Sequence, residues 1–150
     1  MKILVAIDGS PASDVAVESV ATRPWSDGTE VEVLTVIHAA VPFILDPTYT
    51  LAFIHMDQLE KARKRAPEIA DEAAARLKAP GRTVTTQVLE GAPKHLIVEE
   101  AARYGADLIV LGTHGYGPAG RFLLGSVAHA VVLHAPCSVE VVRTRKQAEG

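Results

Sequence analysis

Two short stretches, ILVAI from Ile3 to Ile7 and LIVL from Leu108 to Leu111, are apolar at every position. A strand with one wet face alternates polar and apolar residues. A run without a polar position suits a strand buried on both faces, and such strands are typically parallel and central. Three further strand patterns flank them: VEVLTVI from Val31 to Ile37, the more polar TVTTQVL from Thr83 to Leu89, and SVEVVR from Ser138 to Arg143. Helical patterns fill the intervals. The first has Ser10 as N-cap and Pro11 at the first helical position, with Ala12, Val15, Ala16, Ser19 and Val20 on one face. The stretch from Met56 to Lys78 is helical in composition, with Pro67 kinking it or splitting it at Ala66. Pro93 starts a third helix with Leu96, Ile97, Ala101 and Tyr104 inward, and a fourth runs from about Ser126 to His134, before Pro136.

Strands alternating with helices imply an α/β fold, a five-stranded parallel sheet with helices on both faces. Right-handed crossovers, with the two most apolar strands central, give the order 3-2-1-4-5. The 150 residues, 48% hydrophobic and 22% charged, suit a single domain spanning 1–150 with a real core. In that strand order the winding reverses between strands 1 and 4, and ligands of open α/β sheets bind outside the strand carboxyl ends at that reversal. Asp8 ends strand 1 and Gly112 ends strand 4, so the two converge on one crevice.

From Gly112 to Ser126 the chain reads GTHGYGPAGRFLLGS, five glycines in fifteen residues. A phosphate-binding P-loop would need Lys and Ser/Thr after Gly120, where Arg121 and Phe122 stand, so that mechanism is absent. A dinucleotide fingerprint is literally present in Gly115, Gly117 and Gly120, with Glu140 downstream. That glutamate falls inside a strand pattern, and thirty residues after Gly120 are too few for the second half of such a fold. A third subset, Gly112, Gly115 and Gly125-Ser126, has the spacing G-x2-G-x9-G-S. Gly112 and Gly115 would let the backbone approach a sugar and phosphate. Gly125-Ser126 would open the fourth helix, whose unpaired N–H groups favour an anion, with Val127 adding one more. The alternative for these positions is a left-handed turn followed by an N-cap serine.

On that motif the chain resembles the ATP-binding branch of the universal stress protein family. The resemblance runs from ILVAIDGS through EGAP and GADLIVLGTHG to LLGSVAHAVVLHAPCSVEVVR, nearly the whole chain. It implies a Rossmann-like, adenine nucleotide alpha hydrolase-like fold and ATP as ligand. The implied binding residues are Asp8 near ribose, phosphates and a possible metal, Val36 with its main chain at adenine, and the motif residues Gly112, Gly115, Gly125 and Ser126. It also implies a nucleotide-dependent stress-response or signalling switch. Tyr116 departs from the family, where a basic residue often follows the second motif glycine, and Pro118 stiffens the same loop. Arg121 either substitutes for that cation or faces solvent.

The remaining features bound the function. No nucleophile–base pair, second carboxylate or G-x-S-x-G elbow accompanies the motif, so efficient catalysis is not expected; the alternative is a slow metal-dependent ATPase. The six histidines form no metal set at helical spacing, and Mg²⁺ arriving with the nucleotide is the simpler expectation. A net charge of −3 gives no pull toward nucleic acid or membrane. The basic run Lys61, Arg63, Lys64, Arg65 is followed by Glu68, Asp71 and Glu72, as on a solvated helix face. The single cysteine, Cys137, reads as a small core residue in a reducing compartment. With five apolar residues before Asp8, too few for a signal peptide, the chain is expected to be cytoplasmic. The last strand lies at a sheet edge with only Glu140 to blunt it, which invites pairing. Similar family members dimerise there, so the resemblance implies an antiparallel homodimer. The segment from His38 to Asp57 is apolar but broken by Pro42, Asp46 and Pro47, leaving a lid, a dimer contact or core packing open.

Overall fold

A computed structural model describes residues 1–39, 50–113 and 124–143, with no side-chain description for 50–52. The elements run β1 (Lys2–Ile7), α1 (Pro11–Ala21), β2 (Thr29–His38), α2 (Thr50–Leu77), β3 (Arg82–Gly91), α3 (Pro93–Tyr104), β4 (Leu108–Gly112), α4 (Ser126–His134) and β5 (Ser138–Val142). All four pairings are parallel and the sheet order is β3-β2-β1-β4-β5, as the apolar runs imply.

Burial of β1 on both faces divides the core. Ile3, Val5 and Ile7 face Ala16, Val17 and Val20 of α1 and Ala70, Ala73, Ala74 and Leu77 of α2. Leu4 and Ala6 face Ile97 and Ala101 of α3 and Ala128 and Val131 of α4. The register places Val5 between Val33 and Val110, so three β-branched residues share one central row.

Local chemistry fixes where α1 begins. Ser10 is extended, its hydroxyl oxygen accepts the Ser13 N–H at 3.3 Å, and Pro11 follows it. The buried face differs from the expected one: Ser13, Ala16, Val17 and Val20 are buried, whereas Ala12, Val15 and Ser19 are only half-buried. Ser13 can turn inward because its hydroxyl donates to the Ser10 carbonyl at 2.9 Å.

Helix α2 is neither split at Ala66 nor delayed to Met56; it runs from Thr50 to Leu77 with Pro67 inside it. Pro67 lies on the exposed side and buried Ala66 and Ala70 lie on the other. The bond that a Pro67 N–H would have given to the Arg63 carbonyl is thus lost on the solvent side, where water can replace it.

At the sheet edge, Glu140 of β5 is turned onto α1. Arg23 Nη1 donates to its Oε2 at 2.7 Å, Arg23 Nη2 donates to its Oε1, and the Ser19 hydroxyl adds a bond at 3.3 Å. The arginine holds the Glu140 carboxyl below the usual carboxylate range. Its charge is therefore occupied within the fold. Cys137 packs against the α3–α4 side of the core, and burial pushes its thiol up. No helix among the described residues is long and apolar enough to cross a membrane.

Candidate ligand crevice at the strand carboxyl ends

A crevice of about 390 Å³ opens where the winding reverses between β1 and β4. Its floor is apolar, from Ala6 and Ile7 of β1, Leu34 and Val36 of β2, and Leu111 of β4. Its walls are Pro93 and Ile97 of α3 and Val127 and Ala128 of α4. Its polar groups are Asp8, Ser10, Ser13, His38, Thr113 and Ser126, with Gly112 and Gly125 completing the lining. Asp8, Val36, Gly112, Gly125, Ser126 and Val127 thus come together as the sequence predicts. Gly115, Tyr116, Pro118 and Arg121 lie outside the described residues, as does most of the connection after His38.

Asp8 directly follows β1 and is exposed, with Oδ1 accepting the Ser10 N–H at 2.9 Å. The turn beneath it requires Gly9, whose φ is +78° and whose added Cβ would lie 2.9 Å from Ile69 Cδ1. The turn-capping bond and a role toward a ligand are compatible, since a carboxylate has lone pairs beyond the one that Ser10 uses.

Neither Gly112 nor the Gly125-Ser126 pair follows the left-handed-turn alternative. Among the described glycines, positive φ occurs at Gly9, Gly28, Gly81, Gly91 and Gly105. Gly125 is itself the N-cap of α4, with φ −59° and ψ 154°, and as a glycine it offers the helix no side-chain cap. The Gly125 N–H donates to the Thr113 carbonyl at 2.7 Å and its carbonyl accepts the His129 N–H at 2.9 Å. By helix geometry, the N–H groups of Ser126, Val127 and Ala128 have no in-helix acceptor, and all three residues line the crevice. Gly112 is bare for a different reason. A Cβ there would stand 2.5 Å from the Ala12 carbonyl oxygen and 2.6 Å from its carbon. The first turn of α1 is packed directly on the end of β4.

Helix α3 also presents its start to the crevice: Ala92 is the N-cap, without a side-chain cap, and Pro93 follows. The starts of α1, α3 and α4 therefore all border the crevice. Each gives a positive dipole end worth ~0.3–1 kcal/mol toward an anion. The arrangement can hold an apolar ring on the floor and a negatively charged group at α4. Among the described residues the acid–base side chains lining the crevice are Asp8 and His38. Asp8 is the one carboxylate lining the crevice among the described residues. The Ser13 hydroxyl is spent on a backbone carbonyl and the Ser10 oxygen on a backbone N–H. No three His, Cys, Asp or Glu side chains among the described residues are grouped to hold a metal.

Sequence reasoning missed Leu34, Ile97 and Thr113. Leu34 was within reach, because it precedes Val36 by two and shares its face of β2. Thr113 acts through its backbone, whose N–H donates to Val142 and whose carbonyl accepts from Gly125, and no side-chain signal marks that.

Fold and crevice together define an open, doubly wound α/β protein with a crevice at its topological switch point, where ligands of such sheets bind. The profile of the universal stress protein family matches residues 1–143. A universal stress protein from Thermus aquaticus is 34% identical over 141 residues, covering 94% of this chain and 97% of that one. Among solved structures, universal stress protein UspA from Lactobacillus plantarum superposes with a TM-score of 0.76 at 26% identity, covering 95% and 97% of the two chains. A universal stress protein in complex with cAMP superposes at 0.66 with 29% identity, covering 97% and 98%. The chain belongs to the universal stress protein family.

Proposed function

We propose that this protein binds ATP in the switch-point crevice and acts as a nucleotide-dependent stress-response or signalling switch without efficient catalysis. The observation that carries this reading is the meeting of an apolar floor with the start of α4, whose N-cap is a glycine. A relative crystallised with cAMP supports an adenine nucleotide as the class of ligand. Asp8, Val36, Gly112, Gly115, Gly125, Ser126 and Val127 form the binding set, with adenine against Val36 and phosphates at α4. The exposed Asp8 carboxylate suits Mg²⁺, a hard cation that keeps waters and phosphate oxygens as most of its ligands. The protein would act in the cytoplasm.

Calorimetric titration of nucleotide-stripped protein with ATP, with and without Mg²⁺, tests this. The expected result is one site per chain of micromolar affinity, about 8 kcal/mol. A saturating nucleotide at a hundred times that constant should stabilise the fold by about 2.7 kcal/mol. No heat and no thermal shift at millimolar ATP would reject the reading.

The edge strand β5 carries the second part of the proposal, a homodimer with the two β5 strands antiparallel. Glu140 is engaged by Arg23, which leaves the edge less guarded than its sequence suggests. Exposed Val132 and Leu133 of α4 lie just before this strand and add apolar surface. Light scattering should give twice the chain mass, and a monomer at working concentration would refute the pairing.

A further inference from the structure

We propose that Glu32 and Glu100 form a proton-sharing latch that holds α3 on β2 and releases it as the pH rises. The two carboxyl groups come from facing elements and are buried, at 6% and 4% exposure. Glu100 is well provided for: Arg103 Nε donates to its Oε2 at 2.8 Å and Arg103 Nη2 to its Oε1. Glu32 is not. Its Oε1 is buried and receives no hydrogen bond from any described residue, and its Oε2 lies 3.7 Å from Arg103 Nη2. Two carboxyl groups in contact repel when both are ionised and attract when one carries a proton, since only then is there a donor between them.

The proton belongs on Glu32. Burial and the hydrogen bond to Glu100 push its carboxyl up to about 7, while the Arg103 bonds hold Glu100 below the usual carboxylate range. The other charged or titratable groups near the pair leave that assignment intact. From β1, Lys2 lies 3.8 Å from Glu30 and donates to the Tyr104 carbonyl at 3.3 Å. From α3, the Tyr104 hydroxyl is pushed up to about 12, mainly by burial, and stays neutral. Glu30 of β2 adds a further negative charge near it. On β3, the residue opposite Glu32 is Thr85, which does not titrate.

The signs separate the two acids. The raised Glu32 contributes stability that is complete below the ordinary glutamate range and lost as pH rises through about 7. The lowered Glu100 contributes stability that is lost only as pH falls below that range. Raising the pH through neutrality therefore leaves two buried carboxylates sharing one arginine beneath α3. Glu100 lies one turn after Ile97 on the same helix, and Pro93 and Ile97 form a crevice wall. The latch thus acts on the crevice wall whatever the crevice binds.

The test uses the ligand-free full chain with ¹³C-labelled glutamate. The Glu32 carboxyl should titrate well above the other glutamates. Amide protection in α3, relative to α1 and corrected for intrinsic exchange, should fall between about pH 6 and about pH 8. Glu32→Gln, which supplies a permanent donor, should keep α3 protected across that range. A Glu32 midpoint among the ordinary glutamates, or α3 protection that does not change with pH in the parent, would overturn the latch. The parent titration decides the matter even if the variant fails to fold.

Discussion

Gly112→Ala is expected to destabilise the protein by about 1–3 kcal/mol, the usual cost of forcing extra volume into a packed site. It should also weaken nucleotide binding by more than that loss of stability alone would cause. The added Cβ meets backbone, the Ala12 carbonyl oxygen at 2.5 Å and its carbon at 2.6 Å, as well as the Ala12 side chain at 2.9 Å. Backbone cannot rotate out of the way. Relief requires α1 to withdraw from β4, and the first turn of α1 carries Ser10 and Ser13 along the crevice. Withdrawal also disturbs the Asp8–Ser10 bond that fixes the carboxylate. Urea unfolding followed by ATP titration of the folded variant separates the two effects. A variant with the parent's midpoint would show that α1 is not clamped on the end of β4. Normal stability with normal affinity would remove Gly112 from the site.

This glycine illustrates how far the sequence could be read. Its place in a G-x2-G-x9-G-S pattern was legible, and so was its position at the end of a fully apolar strand. The reason for its bareness was not, because Ala12 is a hundred residues away and only the folded sheet brings α1 against β4. The strands were legible for the opposite reason. In ILVAI and LIVL the burial requirement is written at each position, and the strand order follows from it. Helix α1 was readable at its cap but not around its circumference, since Ser13 is buried through a hydrogen bond to its own turn. The start of α2 was missed because the residues from Leu51 to Met56, apolar but for His55, show no helical alternation with polar ones, and the prolines upstream suggested a loop. Glu32 and Glu100 were invisible for a simple physical reason. Charged side chains are assigned to the surface unless a partner is known, and their partners are each other and Arg103, three residues on from Glu100.

Leu34→Ala should have the largest effect on stability, a loss of about 2–5 kcal/mol, because it removes a buried branched side chain and leaves a cavity. Leu34 is fully buried in the cluster formed with Leu4, Ile97, Ile109 and Leu111. It also forms part of the crevice floor, two residues before Val36. The same truncation therefore removes apolar contact from the part of the crevice that would hold the base, while α4 and its N–H groups remain. This separation gives the measurement its force. Affinity for ATP should fall by roughly tenfold, about 1.4 kcal/mol, whereas affinity for inorganic triphosphate, which has no ring, should change little. Equal losses for both ligands would mean that the variant has disordered α4 or the whole crevice. Unchanged ATP affinity in a folded variant would place the base away from Leu34 and Val36. The adenine assignment would then have to move, whereas the proposed placement of phosphates at α4 would be untouched by that result.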